Sequence, residues 1–577
     1  MDTRSAAVVL LALMVAVAGC MPAGPAVVGE RPAGEQPGRS VPTKSLTIAV
    51  AGEPTHFLFD FGSTGFGSVG TADLAQAVHR GLASYDDRGI LHPVLATEVP
   101  SRERGTWIVR PDGTMQTTYR LRPHVTWHDG TPLTARAFAL GWELVNDREL
   151  PISATGSVRG LLDHLEVRDD HTLVLEWGRT YPFAHALTLS AFPAVPPHLV
   201  EATYRAEPTR VPDLAYWTRE FVGLGPYQLG AWEPGSHIVL RAYDGYFAGR
   251  ARIDTIDVRF MPHQPTIVAN LLAGTVDGVI NRALEFEQAM LVKEEWERAG
   301  RRPLVINQPT HWRMIPFQFR DPRPREVLDV RVRRALVHAI DRQAVIDAIL
   351  AGQSPIAHTF ITPDDPRWEW VQDVVARYDY DPRRSLALLA EVGWRPGPDG
   401  SIMHANGERV ELVLETSPAL QRTATITAPY FRSLGLAIEE HVLSPADARD
   451  ARRVVQFPAI QVSNIPLSWE HNLARLHGPR CPSEANRWTG FNSGCYQNPQ
   501  HDAIIDALYG EIDPARQRQL WRDMVRLQSE DVPVVPMFFL VVATIFREGV
   551  TGVKGDTNPR SGATWNVEQW DVPAARS

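Results

Sequence analysis

The chain has little lysine, little cysteine and no long apolar run beyond its first residues, and each shortage excludes something. Lys44, Lys293 and Lys554 are the only lysines among 58 basic residues, so nearly all positive charge is arginine. Both signs are scattered and the net charge is -9, which leaves no basic face for nucleic acid. Past residue 20, no apolar run reaches the ~18 residues of a membrane span. The nearest, residues 532–545, holds two prolines and reads as buried strand. Catalytic signatures are missing too: there is no H-E-x-x-H and no G-x-S-x-G. Gly490-Phe491-Asn492-Ser493-Gly494 sets its serine one place too late for a nucleophile elbow. His471 and His477 lack ligand spacing, and carboxylates, though plentiful, do not pair by sequence alone. Gly65-Phe66-Gly67-Ser68-Val69-Gly70 fits G-x-G-x-x-G, but more than a dozen residues separate it from the first strand. A dinucleotide site needs those glycines directly after the strand. They read instead as a loop whose backbone closely approaches something bound. No cofactor, no metal and no catalysis are expected.

What is present starts at the N-terminus. Arg4 supplies the cation of a short n-region, and residues 6–18 form an apolar h-region of signal length. Val17-Ala18-Gly19-Cys20 places small residues directly before a cysteine, which resembles the lipobox of bacterial lipoproteins. That resemblance implies cleavage before Cys20 and a diacylglycerol on its thiol, holding the body outside the cytoplasmic membrane. Two or more acyl chains at ~0.8 kcal/mol per buried CH₂ anchor a protein where one barely does. Residues 21–43, rich in Pro, Gly and Ala, read as a flexible tether. Cys481 and Cys495 then remain for an oxidising compartment, where a disulfide is the default and two free thiols the alternative. A loop of about 15 residues closed this way is worth ~3 kcal/mol.

With 577 residues, 44% hydrophobic and 22% charged, the body is globular and long enough for several domains. Residues 45–50 alternate as a strand and 71–82 read as a helix. Thr134 is placed to cap a helix over 135–145. Residues 223–227 read as a tight turn into a strand, and Pro234-Gly235 turns it into a hairpin with 237–241. Strand 256–260, helix 266–272 closed by Gly274, and strand 276–280 make a parallel βαβ unit. Asp329 and Asp341 cap two successive helices, and 514–528 forms another before strand 534–545.

These segments resemble the extracellular solute-binding proteins of ABC importers, family 5, the peptide and nickel class, over about residues 45–553. Residues 121–135, ending His128-Asp129-Gly130-Thr131-Pro132-Leu133-Thr134-Ala135, are similar to "LRxGVxFHDGTPLTA". Gly223-Leu224-Gly225-Pro226-Tyr227 and Trp232-Glu233-Pro234-Gly235 match a "GTGPY…WxPG" hairpin. Leu272 to Asp277 match "LxxGEVD", 329–342 match "DxxVRxAxxxAIDR", and 380–394 match "YDPxxAxxLLxxAGW". The resemblance implies an α/β, two-lobe periplasmic-binding-protein type II fold with an extra inserted domain. It implies lobe I from 44–75, 190–315 and 530–577, the inserted domain from 76–189, and lobe III from 316–529. A solute, peptide or peptide-like, would be enclosed between lobes of a monomeric receptor and passed to ABC permease subunits in the membrane.

Two departures stand out. Ala137 occupies the place where the family usually completes a capping box with an acid. Residues 463–470 also lack an aspartate where peptide-binding members carry "DYxxP", the aspartate that takes the peptide's amino terminus; Glu470 is the nearest acid. From family position, Ser63, Phe66 and Gly67 in the Gly-rich loop and Asn464, Trp469 and Glu470 in the second lobe are expected at the ligand. Trp469 and Trp488 are candidate flat walls, and Asn464 and Asn492 candidate paired donors and acceptors. The alternatives are a lipid-anchored sensor or chaperone on the same fold, and a secreted hydrolase. An adjacent sensor-kinase gene would favour the sensor, and turnover on a peptide or glycan panel the hydrolase.

Overall fold

The computed structural model describes residues 43–59, 71–152, 158–280, 283–555 and 562–574. Its largest sheet holds eight strands. In chain order they are β1 (Ser45–Val50), β2 (Tyr227–Glu233), β3 (His237–Ala242), β4 (Thr255–Phe260), β5 (Gly278–Val279), β6 (Leu304–Pro316), β7 (Ser463–Pro466) and β8 (Val534–Phe546). Across the sheet the order is β7-β6-β8-β5-β1-β4-β3-β2. β1 runs parallel to both β4 and β5, so the βαβ unit forms as the sequence predicts, with β1 between its strands.

The helix expected over 71–82 is α1 (Thr71–Val78) and stops short. Tertiary packing ends it: Gly225 donates its N–H to the Val78 carbonyl at 3.0 Å, and the turn at 223–225 lies hard against the helix end. A Cβ on Gly225 would sit 2.5 Å from the Ala77 oxygen, so only glycine fits. α2 (Gln264–Ala273) closes at Gly274 with φ +77, and α3 (Phe286–Arg298) follows. α4 (Val330–His338) and α5 (Arg342–Leu350) begin where their caps are predicted. Asp329 accepts from the Arg331 N–H and Asp341 from the Ala344 N–H. Thr134 does stand at a helix start, but its side chain makes no capping bond; the Ala135 N–H donates instead to the Asp170 carbonyl at 2.8 Å.

Four hydrophobic cores organise the body. One lies under an antiparallel sheet of Trp107–Val109, Met115–Arg120, Thr172–Trp177 and Leu162–Asp169, with Tyr119, Trp127, Phe138 and Trp177 inside. A second packs β1 to β4 against Trp217 and Trp570. The third joins α4 and α5 to Trp394 and Phe431, and the fourth gathers Trp312, Trp521 and Met524. β6 and β8 pair from Leu304↔Phe546 to Pro316↔Val534 and so thread several cores. β8 is apolar on both faces because it is covered on both. The pair carries two register shifts, one of them between Arg313 and Met314. A bulge there re-aims side chains locally.

Candidate functional site

β7 is the outermost strand of the large sheet and only four residues long. It pairs antiparallel with β6, placing Asn464 opposite Arg313 and Ser463 opposite Met314. Pro466 ends the strand, which suits an edge because proline has no N–H to give a ladder. Ser468 then caps α6 (Trp469–Arg475), accepting from the His471 N–H. The buried Asn472 amide donates to the carbonyls of Pro466 at 2.9 Å and Ser468 at 2.8 Å, fixing the turn from strand to helix.

That turn holds Trp469 against another part of the molecule. Its ring stacks on Phe183 with centroids 4.1 Å apart and planes at 26°. Phe183 follows the antiparallel sheet, where Trp177 stacks on Tyr181 and Tyr181 meets Phe183 edge-on. Trp469 also lies near Tyr509, with ring centroids 6.1 Å apart and planes tilted at 52°. An aromatic chain therefore links the core around Trp177 to the core around Trp521, with the Phe183–Trp469 stack as its closest contact.

The charges near β7 are unusual. Arg313 is 6% exposed, yet its Nε and Nη1 have no hydrogen-bond partner. Its guanidinium lies 5.9 Å over the Phe538 ring. Burial pulls its pKa down to about 10, opposed by the charge of Glu285, which does not reach ion-pair contact. Asn464 Oδ1, across the strand pair, is likewise buried without a partner. Arg475 donates to Ser463 Oγ at 2.7 Å and to the Phe491 carbonyl at 3.2 Å, and burial pulls it also to about 10. Neither arginine pairs with a carboxylate among the described residues. No three of His, Cys, Asp or Glu gather there into a metal-binding group, and no helix there is long and apolar enough to cross a membrane.

The family described as bacterial extracellular solute-binding proteins, family 5 (middle) matches residues 91–471, well over half of the chain. The chain belongs to that family. The oligopeptide-binding protein AppA of Bacillus subtilis is 20% identical over 541 residues, 91% of this chain and 91% of AppA. Among solved structures, the oligopeptide-binding protein of Thermus thermophilus complexed with a pentapeptide superposes with a TM-score of 0.66 at 22% identity, covering 92% of this chain and 97% of that one. NikZ of Campylobacter jejuni in complex with Ni(L-His) gives 0.68 at 19% identity, covering 92% and 100%. These likenesses establish the two-lobe α/β fold of solute-binding proteins.

In this family 5 protein the expected site residues separate. Asn464 and Trp469 lie on β7 and at the start of α6, close together. Glu470 follows within α6. Cys20, Ser63, Phe66 and Gly67 lie outside the described residues. The ring of Trp488 meets the guanidiniums of Arg320 at 5.3 Å and Arg452 at 5.2 Å. Arg320 also donates to the sulfurs of Cys481 and Cys495, which form a disulfide with Cα atoms 4.8 Å apart. Asn492 corrects the expectation of paired amides. It is 1% exposed, and its Nδ2 donates to the His477 and Tyr496 carbonyls while its Oδ1 accepts from the Tyr496 N–H. Both of its donors serve the fold, leaving none for a ligand. Sequence reading missed Phe183, Arg313 and Arg475. Arg313 did leave a trace, a lone charge within the apolar run Trp312 to Phe317.

Proposed function

We propose that this solute-binding protein captures a small peptide or peptide-like solute between its lobes and hands it to the permease of an ABC importer. The Phe183–Trp469 stack carries this reading: it joins the inserted domain to lobe III, in the lobe division expected from sequence, beside an edge strand with unused polar groups. A free edge accepts an extended peptide backbone, and flat aromatic walls exclude water from what lies between. The names of relatives, AppA as an oligopeptide-binding protein and the Thermus protein with its pentapeptide, support the same solute class. Ser63, Phe66, Gly67 and Glu470 are proposed to complete the contacts. β6 and β8 act as the hinge in this reading, because they run uninterrupted between the cores. Cys20 is proposed as the lipidated anchor, in a monomer tethered outside the membrane. Cys20→Ser should free the body from the membrane without changing solute affinity; normal processing and unchanged membrane association would remove the anchor.

The function is tested by scattering and mass spectrometry on one sample. The true solute binds at one site per chain, contracts the particle on binding, and is recovered chemically unchanged. Trp469→Ala weakens binding while the unliganded protein still folds and melts cooperatively, at a slightly lower temperature for the lost Phe183 stack. Tight binding without contraction, or consumption of the solute, overturns the proposal.

A further inference from the structure

The Cys481–Cys495 disulfide has surroundings that favour its opening. One guanidinium nitrogen of Arg320 donates to both sulfurs, at 3.2 Å to Cys481 and 2.7 Å to Cys495, and also to the Pro482 carbonyl. Burial alone acts on this guanidinium, pulling its pKa down, with no carboxylate among the described residues to oppose it. The Trp488 ring faces it at 5.3 Å. The two sulfurs differ in access. Cys481 is half-buried, whereas Cys495 is 4% exposed and its N–H donates to the Asn492 carbonyl at 2.9 Å. The loop between them is also held in backbone conformations that side chains rarely adopt. Arg487, Trp488 and Cys495 have φ of 54°, 62° and 54°; His124, Ala351 and Val532 are the other non-glycine positions of this kind among the described residues. Such residues persist where the structure around them holds them in place, and here the disulfide is part of that hold.

We propose that this disulfide is a thiol-exchange site whose co-reactant is a small thiol. The thiolate of that compound attacks Cys481 Sγ, the sulfur within reach. A new S–S bond forms there as the Cys481–Cys495 bond breaks, and the electron pair of the broken bond passes to Cys495 Sγ. Arg320 faces that leaving thiolate at 2.7 Å. A neighbouring guanidinium lowers the pKa of a thiol, and a thiolate of lower pKa leaves faster. The incoming sulfur is oxidised to a mixed disulfide on Cys481, and Cys495 is reduced. Return attack by Cys495 expels the small thiol and closes the loop again. Attack by a second thiol on the mixed disulfide instead releases Cys481 and leaves both cysteines reduced. The exchange concerns the 481–495 loop and does not depend on which solute the protein captures.

The test mixes the full-length, undenatured protein with mercaptoethanol, quenches with acid at intervals, and maps peptides by mass spectrometry without further reduction. The expected result is that the loop opens without denaturant and that mercaptoethanol is found on Cys481, with Cys495 free. Arg320→Met, which keeps the bulk and loses the charge, should open about tenfold more slowly. Arg320→Lys, which keeps a positive charge, should open at a rate between the two. Mercaptoethanol on Cys495, a disulfide that opens in denaturant alone, or an Arg320→Met variant that opens as fast as wild type overturns the site. Should Arg320→Met fail to fold, the reduced wild type decides through peptide-resolved alkylation of Cys495 across pH. A midpoint below the ordinary thiol value of ~8.5 is expected, and one at or above it overturns the proposal.

Discussion

At the turn of residues 223–225, buried His79 and half-buried His128 meet four backbone groups; on β6 and β7, Arg313 and Asn464 leave three buried polar atoms unanswered. His79 Nδ1 accepts from the Leu224 N–H at 3.1 Å while its Nε2 meets the Ala194 carbonyl at 3.0 Å. His128 Nδ1 accepts from the Gly223 N–H, and its Nε2 donates to the Gly225 carbonyl, both at 3.0 Å. Burial holds both imidazoles neutral, His79 at about 3 and His128 at about 4. The turn is complete in itself. The strand pair is not: its donors and its acceptor find no partner among the described residues.

The largest expected effect tests that contrast with two arginines. Arg333→Ala strips donors from four carbonyls and from Asp531, and should cost about 3–5 kcal/mol in chemical denaturation. Arg313→Met should leave stability unchanged or raise it. Equal losses in the two variants would erase the distinction. Next in size is the Cys481–Cys495 staple, with a sequence separation of 14. Reduction should lower unfolding free energy by ~3 kcal/mol. Solute capture should persist, because β7 keeps its ladder to β6 when the staple is opened. Loss of capture on reduction would move that loop into the site.

Acid probes the scaffold side. His79 titrates near 6.5 when unfolded and at about 3 when folded, so between those values the unfolded chain binds more protons. Stability is therefore full above pH 6.5 and falls as pH drops, by about 2 kcal/mol at pH 5 from this group. His79→Gln, which retains one donor and one acceptor, should flatten that limb in pH-dependent melts; an unaltered slope would assign the acid sensitivity elsewhere. The smallest effect is the coupling of Phe183 to Trp469. A double-mutant cycle on solute affinity should return ~0.5–1.5 kcal/mol, the range of a stacked aromatic pair. Additive single effects would mean that the stack does not contribute to capture.

Helix caps, hairpin and βαβ unit were legible because each is written in a few adjacent residues. Asp329 and Asp341 cap their helices, Pro234-Gly235 turns β2 into β3, and Gly274 closes α2. The motif blocks carried the family for the same reason. Asn464 and Trp469 are expected from family position alone, and one half of the expected amide pair fails because Asn492 lies among carbonyls of its own loop.

The sequence by itself determined the family, the order of elements and the two cysteines free to pair, since these depend on local pattern and composition. Only the tertiary structure decided that α1 ends at Val78 under the approach of Gly225, and that Trp488 is held by two arginines. It alone set Phe183 on Trp469, nearly three hundred residues away, and left Arg313 beside Asn464 without a counter-charge. Such contacts join distant segments through packing and register, and whether a buried donor finds an acceptor depends on all the backbone around it, which no stretch of sequence near Arg313 contains.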